Sequence, residues 1–139
     1  MNDYDYDYDY DYIGDDSLHS YDGKVIASIE QSEYGNYERN DAIIIKFTDG
    51  STFIAAHSQS CCERVNISEI DGDLRSLVGA QIESITEDTD LNRDEKTDRQ
   101  TQTTWINIHT TNGTVRVTFD GSSNGYYGTG VSFWGNICT

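Results

Sequence analysis

The sequence contains no proline. Every turn must therefore be made by Gly, Asn, Asp or Ser. Basic residues are scarce. Nine Lys and Arg stand against 25 Asp and Glu, for a formal net charge of −16. Such a chain repels nucleic acid and anionic membranes at long range, so neither is expected as a direct partner. Basic proteins and cations remain open as partners. No apolar run is long enough to span a membrane as a helix, and the N-terminus lacks a signal-peptide pattern. Cysteines number three, Cys61, Cys62 and Cys138. An odd count gives no disulfide framework and points to a reducing cytosol. Neither a P-loop nor a dinucleotide-binding fingerprint occurs.

What is present reads as β structure. A length of 139 residues is one domain, long enough to bury roughly two thirds of its unfolded surface. Residues 1–23 form an acidic leader. In it Tyr4, Tyr6, Tyr8, Tyr10 and Tyr12 alternate with Asp3, Asp5, Asp7, Asp9 and Asp11. Period two puts the tyrosines on one face of a strand. The leader is thus a docked edge strand, or it is disordered by its own charge. Residues 24–139 form a single β domain.

Within that domain, KVIASIEQ at 24–31 reads as a strand. AIIIKFT and STFIAA flank Asp49-Gly50 and read as a hairpin with a two-residue turn. In that register Phe47 opposes Thr52, Ile45 opposes Ile54, and Ile43 opposes Ala56. Val65 and Ile67 alternate with polar residues, and 80–86 is a further strand. Residues 71–78, DGDLRSLV, can hold a short helix opened by Asp73. Residues 87–104 are charged and unpatterned, a long loop or a long hairpin excursion. TWINIHT and VRVTF then flank Asn112-Gly113. There Ile108 opposes Val117 and Ile106 opposes Phe119, leaving Trp105, Asn107, His109 and Arg116 outside. A last strand covers 126–134. The expected fold is a compact antiparallel β-sandwich or partly open barrel of about seven strands with one short helix.

Three constellations invite chemistry. His57, Cys61 and Cys62 are candidate metal ligands, although successive side chains of an extended segment point apart. Alternatively, one cysteine packs inward as a small apolar residue. A catalytic Cys-His pair would need a low-pKa thiolate, and Arg64 is the only cation close in sequence. Asp88, Asp90, Asn92 and Asp94 match the odd positions of a calcium loop, but Arg93 and Arg99 occupy positions that need glycine and a bidentate acid. Finally, Gly121 to Gly128 is glycine-rich and includes Asn124, Tyr126 and Tyr127. Exposed amides beside aromatic faces suit a planar, phosphorylated ligand. With Trp105, His109 and Arg116 they make the candidate ligand surface. Neither an enzyme nor a bound cofactor is expected.

Two segments resemble a known family. HSQSCCERV at 57–65, followed by EIDGDLRSLVGAQI, is similar to an H-x3-C-C-E … G-D-L signature of small proteins carried by tailed phages. TTWINIHTTNGTVRVTFDGSSNGYYGTGVSF resembles the C-terminal half of that family, with its S-N-G-Y-Y turn. The likeness spans roughly 40–135. The Asp-Tyr leader, the 87–104 excursion and Gly128, where serine is usual, depart from it. The resemblance implies a bacteriophage protein. The function expected is a non-enzymatic, homo-oligomeric binding protein that antagonises host antiviral defence, by sequestering a small nucleotide ligand or by blocking a host defence protein. The alternative is an acidic interaction module, or nucleic-acid mimic, that engages a basic host protein.

Overall fold

The structure is a computed structural model and describes residues 11–34, 40–58, 62–125 and 128–136. Among these residues nine strands form two antiparallel sheets. The strands are β1 (Asp11–Ile13), β2 (Ile26–Tyr34), β3 (Asn40–Phe47), β4 (Thr52–Ala56), β5 (Arg64–Asp71), β6 (Ile82–Arg93), β7 (Gln100–Thr110), β8 (Gly113–Ser123) and β9 (Ser132–Asn136). One sheet runs β1-β9-β4-β3-β2 and the other β5-β8-β7-β6. The two sheets enclose one apolar core, so the architecture is an open sandwich and not a closed barrel. No helix among the described residues is long and apolar enough to cross a membrane.

The expected short helix is a 3-10 turn, Leu74–Leu77. Asp73 opens it, its side chain accepting from the Arg75 N–H, and Leu77 is buried. A second 3-10 segment, Asp15–Tyr21, lies inside the expected leader. The core therefore begins before residue 24. Leu18 and Tyr21 belong to it, and Tyr12 of β1 opposes Trp134 across the β1–β9 pair. The docked-strand alternative is thus seen at 11–13. The other four alternating tyrosines lie outside the described residues. Tyr21 is fully buried, stacks on Phe47 with ring centroids 5.3 Å apart, and donates its hydroxyl to the Thr52 carbonyl at 2.9 Å.

The first hairpin differs from expectation by one residue. Lys46 opposes Thr52 and Ile45 opposes Phe53. The connection is a three-residue loop, with Gly50 at φ 91 and the Phe47 N–H bonded to the Ser51 carbonyl. A one-residue slip reverses the faces of a strand. Here it turns Phe53 and Ala55 inward beside Ile43 and Ile45, and sends Ile54 to the outer face. Burying Phe53 between the sheets outweighs the tighter turn, since a phenyl side chain contributes roughly 1.5–3 kcal/mol on burial.

The second hairpin differs by two. Thr110 opposes Gly113, so Ile108 faces Val115 and Ile106 faces Val117. An even shift preserves the faces, and Trp105, Asn107, His109 and Arg116 stay outside as expected.

Residues 87–104 are a hairpin rather than a loop. β6 and β7 pair in continuous register from Ser84 opposite His109 to Arg93 opposite Gln100. Threonines at 101, 103 and 104 and the alternation of the paired β7 carry it as strand. The final strand begins at Ser132, later than the expected 126.

Candidate functional site

The chain crosses between the sheets twice at one end of the sandwich, from β4 to β5 and from β8 to β9. His57 ends the first crossing's approach and Glu63 precedes β5. Both are buried. His57 Nδ1 lies 2.7 Å from the Gly130 carbonyl, and Nε2 lies 2.7 Å from Glu63 Oε2. A carbonyl only accepts, so Nδ1 carries a proton. Nε2 and the carboxylate share the second interaction, as an ion pair or as a neutral imidazole accepting from a carboxylic acid. One imidazole thereby ties both crossings together.

That geometry bears on two of the three thiol and metal candidates. Both ring nitrogens of His57 are engaged within the protein, and Cys62 is disulfide-bonded. A disulfide sulfur is neither thiolate ligand nor nucleophile. The expectation of reduced cysteines is corrected at this residue. Cys61 lies outside the described residues. No group of three or more His, Cys, Asp or Glu among the described residues is arranged to hold a metal ion. The calcium-loop match fails for a separate reason. Asp88, Asp90 and Asn92 sit on one face of extended β6, about 6.7 Å apart along the strand, so they cannot converge on one ion. Asp88 instead accepts from Asn107 Nδ2 at 3.2 Å.

The outer face of the four-stranded sheet can be read row by row from its register. Arg64, Ser122, Thr101 and Asn92 form the row nearest the crossings. Asn66, Asp120, Thr103 and Asp90 form the next, followed by Thr118, Trp105 and Asp88, and then Arg116, Asn107 and Thr86. His109 lies beyond, opposite Thr114, and its Nδ1 is 3.0 Å from the Thr114 hydroxyl. Arg116 donates Nε–H to Asn107 Oδ1 at 2.8 Å, and its guanidinium lies 5.9 Å from the Trp105 ring centre.

The expected ligand surface is therefore only partly assembled. Trp105, His109 and Arg116 share this face. Asn124 lies past the far end of β8, and Arg116 to Ser123 alone spans roughly 23 Å of extended chain. No single small molecule reaches from Asn124 to His109 or Arg116. Trp105 lies between the two ends. Tyr126 and Tyr127 lie outside the described residues.

At the crossing end sits a cleft of about 410 Å³ lined by Cys62, Arg64, Thr97, Arg99, Ser122, Ser123 and Asn124. That volume is ample for a small ligand. In a chain so rich in acids, no carboxylate lines it among the described residues. Arg93 follows Asn92 and so lies on the opposite face of β6 from the Arg64 row, where its Nη2 would stand 3.1 Å from a Cβ placed on Gly125. The β6–β7 hairpin delivers Arg99, and β5 delivers Arg64 from across β8. None of the three arginines is in an ion pair among the described residues. The loop geometry is tight. Gly125 adopts φ 98, and its Cα packs so close to the Asp98 carbonyl that a Cβ would stand 2.4 Å from that oxygen.

Sequence reasoning named Arg64 only as a neighbour of the cysteines and gave Arg93 and Arg99 no positive role. The available signal was scarcity, since each cation is conspicuous among 25 acids. In comparisons with known proteins, the family described as "Domain of unknown function (DUF7448)" matches residues 20–133. No curated protein and no solved structure matches the chain.

Proposed function

Because this chain belongs to the DUF7448 family, whose description assigns no activity, we propose from the site that it is a non-enzymatic binding module whose arginine cleft holds a small phosphorylated ligand. The observation that carries this is the pairing of Arg64 and Arg99, in no ion pair among the described residues, on a cleft whose described lining has no carboxylate. Guanidinium forks match phosphate geometry, and the Thr97 and Ser122 hydroxyls and the Asn124 amide add further donors. The net charge of −16 opposes an anion at distance. Salt screens charges beyond about 8 Å, so the local set decides at contact. The resemblance to tailed-phage proteins supports reading such binding as an action against host defence, where a protein that retains a nucleotide signal would silence it. Host cytoplasm and self-assembly belong to the same proposal.

The test is calorimetric titration with inorganic phosphate, ribose 5-phosphate and AMP. Each charge-assisted hydrogen bond contributes about 1.5–3 kcal/mol, so Arg64→Ala or Arg99→Ala should weaken binding roughly tenfold or more. Saturable binding that survives the double substitution unchanged, or no binding to any phosphorylated compound, refutes the reading.

A second reading has its own observation. Residues 88–99, on the β6–β7 hairpin, are all exposed, and they include Asp88, Asp90, Asp94, Glu95 and Asp98. β6 is also the edge strand of its sheet. An acidic edge suits a basic protein partner. Charge reversal at Asp88 and Asp90 abolishes that mode and leaves the arginine cleft intact.

A further inference from the structure

Resting on the arginine-cleft reading, we propose that the ligand is a mononucleotide lying lengthwise on the outer face of the four-stranded sheet, phosphate at Arg64 and Arg99, base on Trp105. Continuity is the first reason. The cleft shares Arg64 and Ser122 with a neighbouring hollow of about 380 Å³ that runs on to Thr103 and Asp120. Trp105 and Thr118 form the next row along the same face.

Length is the second. Thr101, level with Arg64 across the sheet, lies four residues before Trp105, about 13 Å of strand. That is comparable to the distance from the phosphate to the far edge of the base in a 5′-nucleotide.

The chemistry also changes along the groove in the order a nucleotide presents. Guanidinium groups stand at one end. In the middle, Asp120 Oδ1 accepts from the Thr103 hydroxyl at 2.8 Å, which fixes the carboxylate and leaves its other oxygen to accept from a sugar hydroxyl. A carboxylate there repels a second phosphate, so a polyphosphate chain cannot extend this way. At the far end is the half-buried indole of Trp105. Arg116 holds the ring from the Asn107 side, and Asn107 is itself held by Asp88. Trp105 stands in the row between Thr103, which lines the groove, and Arg116. A ring already held in place loses little freedom when a base stacks on it.

The test uses Trp134→Phe. The chain has two tryptophans, so this leaves Trp105 as the only indole reporter. AMP should change Trp105 emission saturably, whereas ribose 5-phosphate should bind without that change. Trp105→Ala should weaken AMP about fivefold to a hundredfold in calorimetry, the range for one base–aromatic stack, and leave ribose 5-phosphate unaffected. The calorimetric comparison stands even if Trp134→Phe fails to fold. Equal affinity for AMP and ribose 5-phosphate, or unchanged AMP binding by Trp105→Ala, overturns the base placement while sparing the phosphate cleft. If none of the ligands binds, the cleft reading falls as well.

Discussion

Truncating Glu63 to alanine should destabilise the fold far more than replacing it with glutamine. The side chain is 2% exposed and faces His57, itself 6% exposed. His57 Nδ1 is committed to the Gly130 carbonyl, so Nε2 depends on Glu63 among the described residues. Removing one partner of a buried charged pair costs about 3–5 kcal/mol, because the other is left desolvated and unpaired. Glutamine keeps the contact, since its amide N–H can donate to a neutral Nε2. Glu63→Gln should therefore cost about 1–2 kcal/mol, a neutral hydrogen bond exchanged for a charge-assisted one. Urea unfolding followed by circular dichroism measures both. With a slope of roughly 2 kcal/mol per molar, Glu63→Ala lowers the midpoint by about 2 M, and Glu63→Gln by less than 1 M. Equal losses for the two variants would refute the donor–acceptor assignment. A loss under about 1 kcal/mol for alanine would refute the claim that this contact ties the two crossings.

Gly135→Ala should be among the most damaging single changes, because its Cβ would stand 2.1 Å from the Tyr21 hydroxyl and 2.5 Å from the Thr52 carbonyl. Overpacking of this kind costs about 1–3 kcal/mol or more, and thermal unfolding reads it. Burial, and secondarily the charge of Asp49, pushes the Tyr21 hydroxyl from 10.0 up to about 12. Its contribution is complete below pH 10 and is lost as pH rises through 12, so tyrosinate absorbance at high pH should show one late-titrating group that Tyr21→Phe removes. Hydrogen bonds from Lys24 and then Ser51 hold the Asp49 carboxyl down from 3.8 to about 2. Its contribution is present above pH 3.8 and is lost as pH falls toward 2. Carboxyl NMR should give that midpoint, and Lys24→Ala should raise it.

Much of the fold was legible because alternation along a strand is a local property. Ile106, Ile108, Val117 and Phe119 announce an inner face from sequence alone, and the structure buries all four. An even register shift in their hairpin left that reading untouched. The first hairpin was less legible, since β3 and β4 are apolar on both faces and periodicity cannot choose between them. There the burial of Phe53 between the sheets decided, over the tighter two-residue turn. The 87–104 hairpin was obscured by charge, because strands that project beyond the core need no apolar face.

By itself, then, the chain determined its class: one acidic, mainly β domain without proline, with Trp105 and Arg116 on an outward face. Tertiary structure alone decided the site. Arg64 and Arg99 are separated in sequence by 35 positions, and only the β5-β8-β7-β6 sheet brings them to one cleft. It likewise paired His57 with Glu63 and Gly130, engaging both ring nitrogens of a residue that the linear spacing had offered as a metal ligand. Charge and alternation are carried by single residues and their neighbours. A binding site depends on which distant strands lie side by side, and that is fixed only when the two sheets bury their common core.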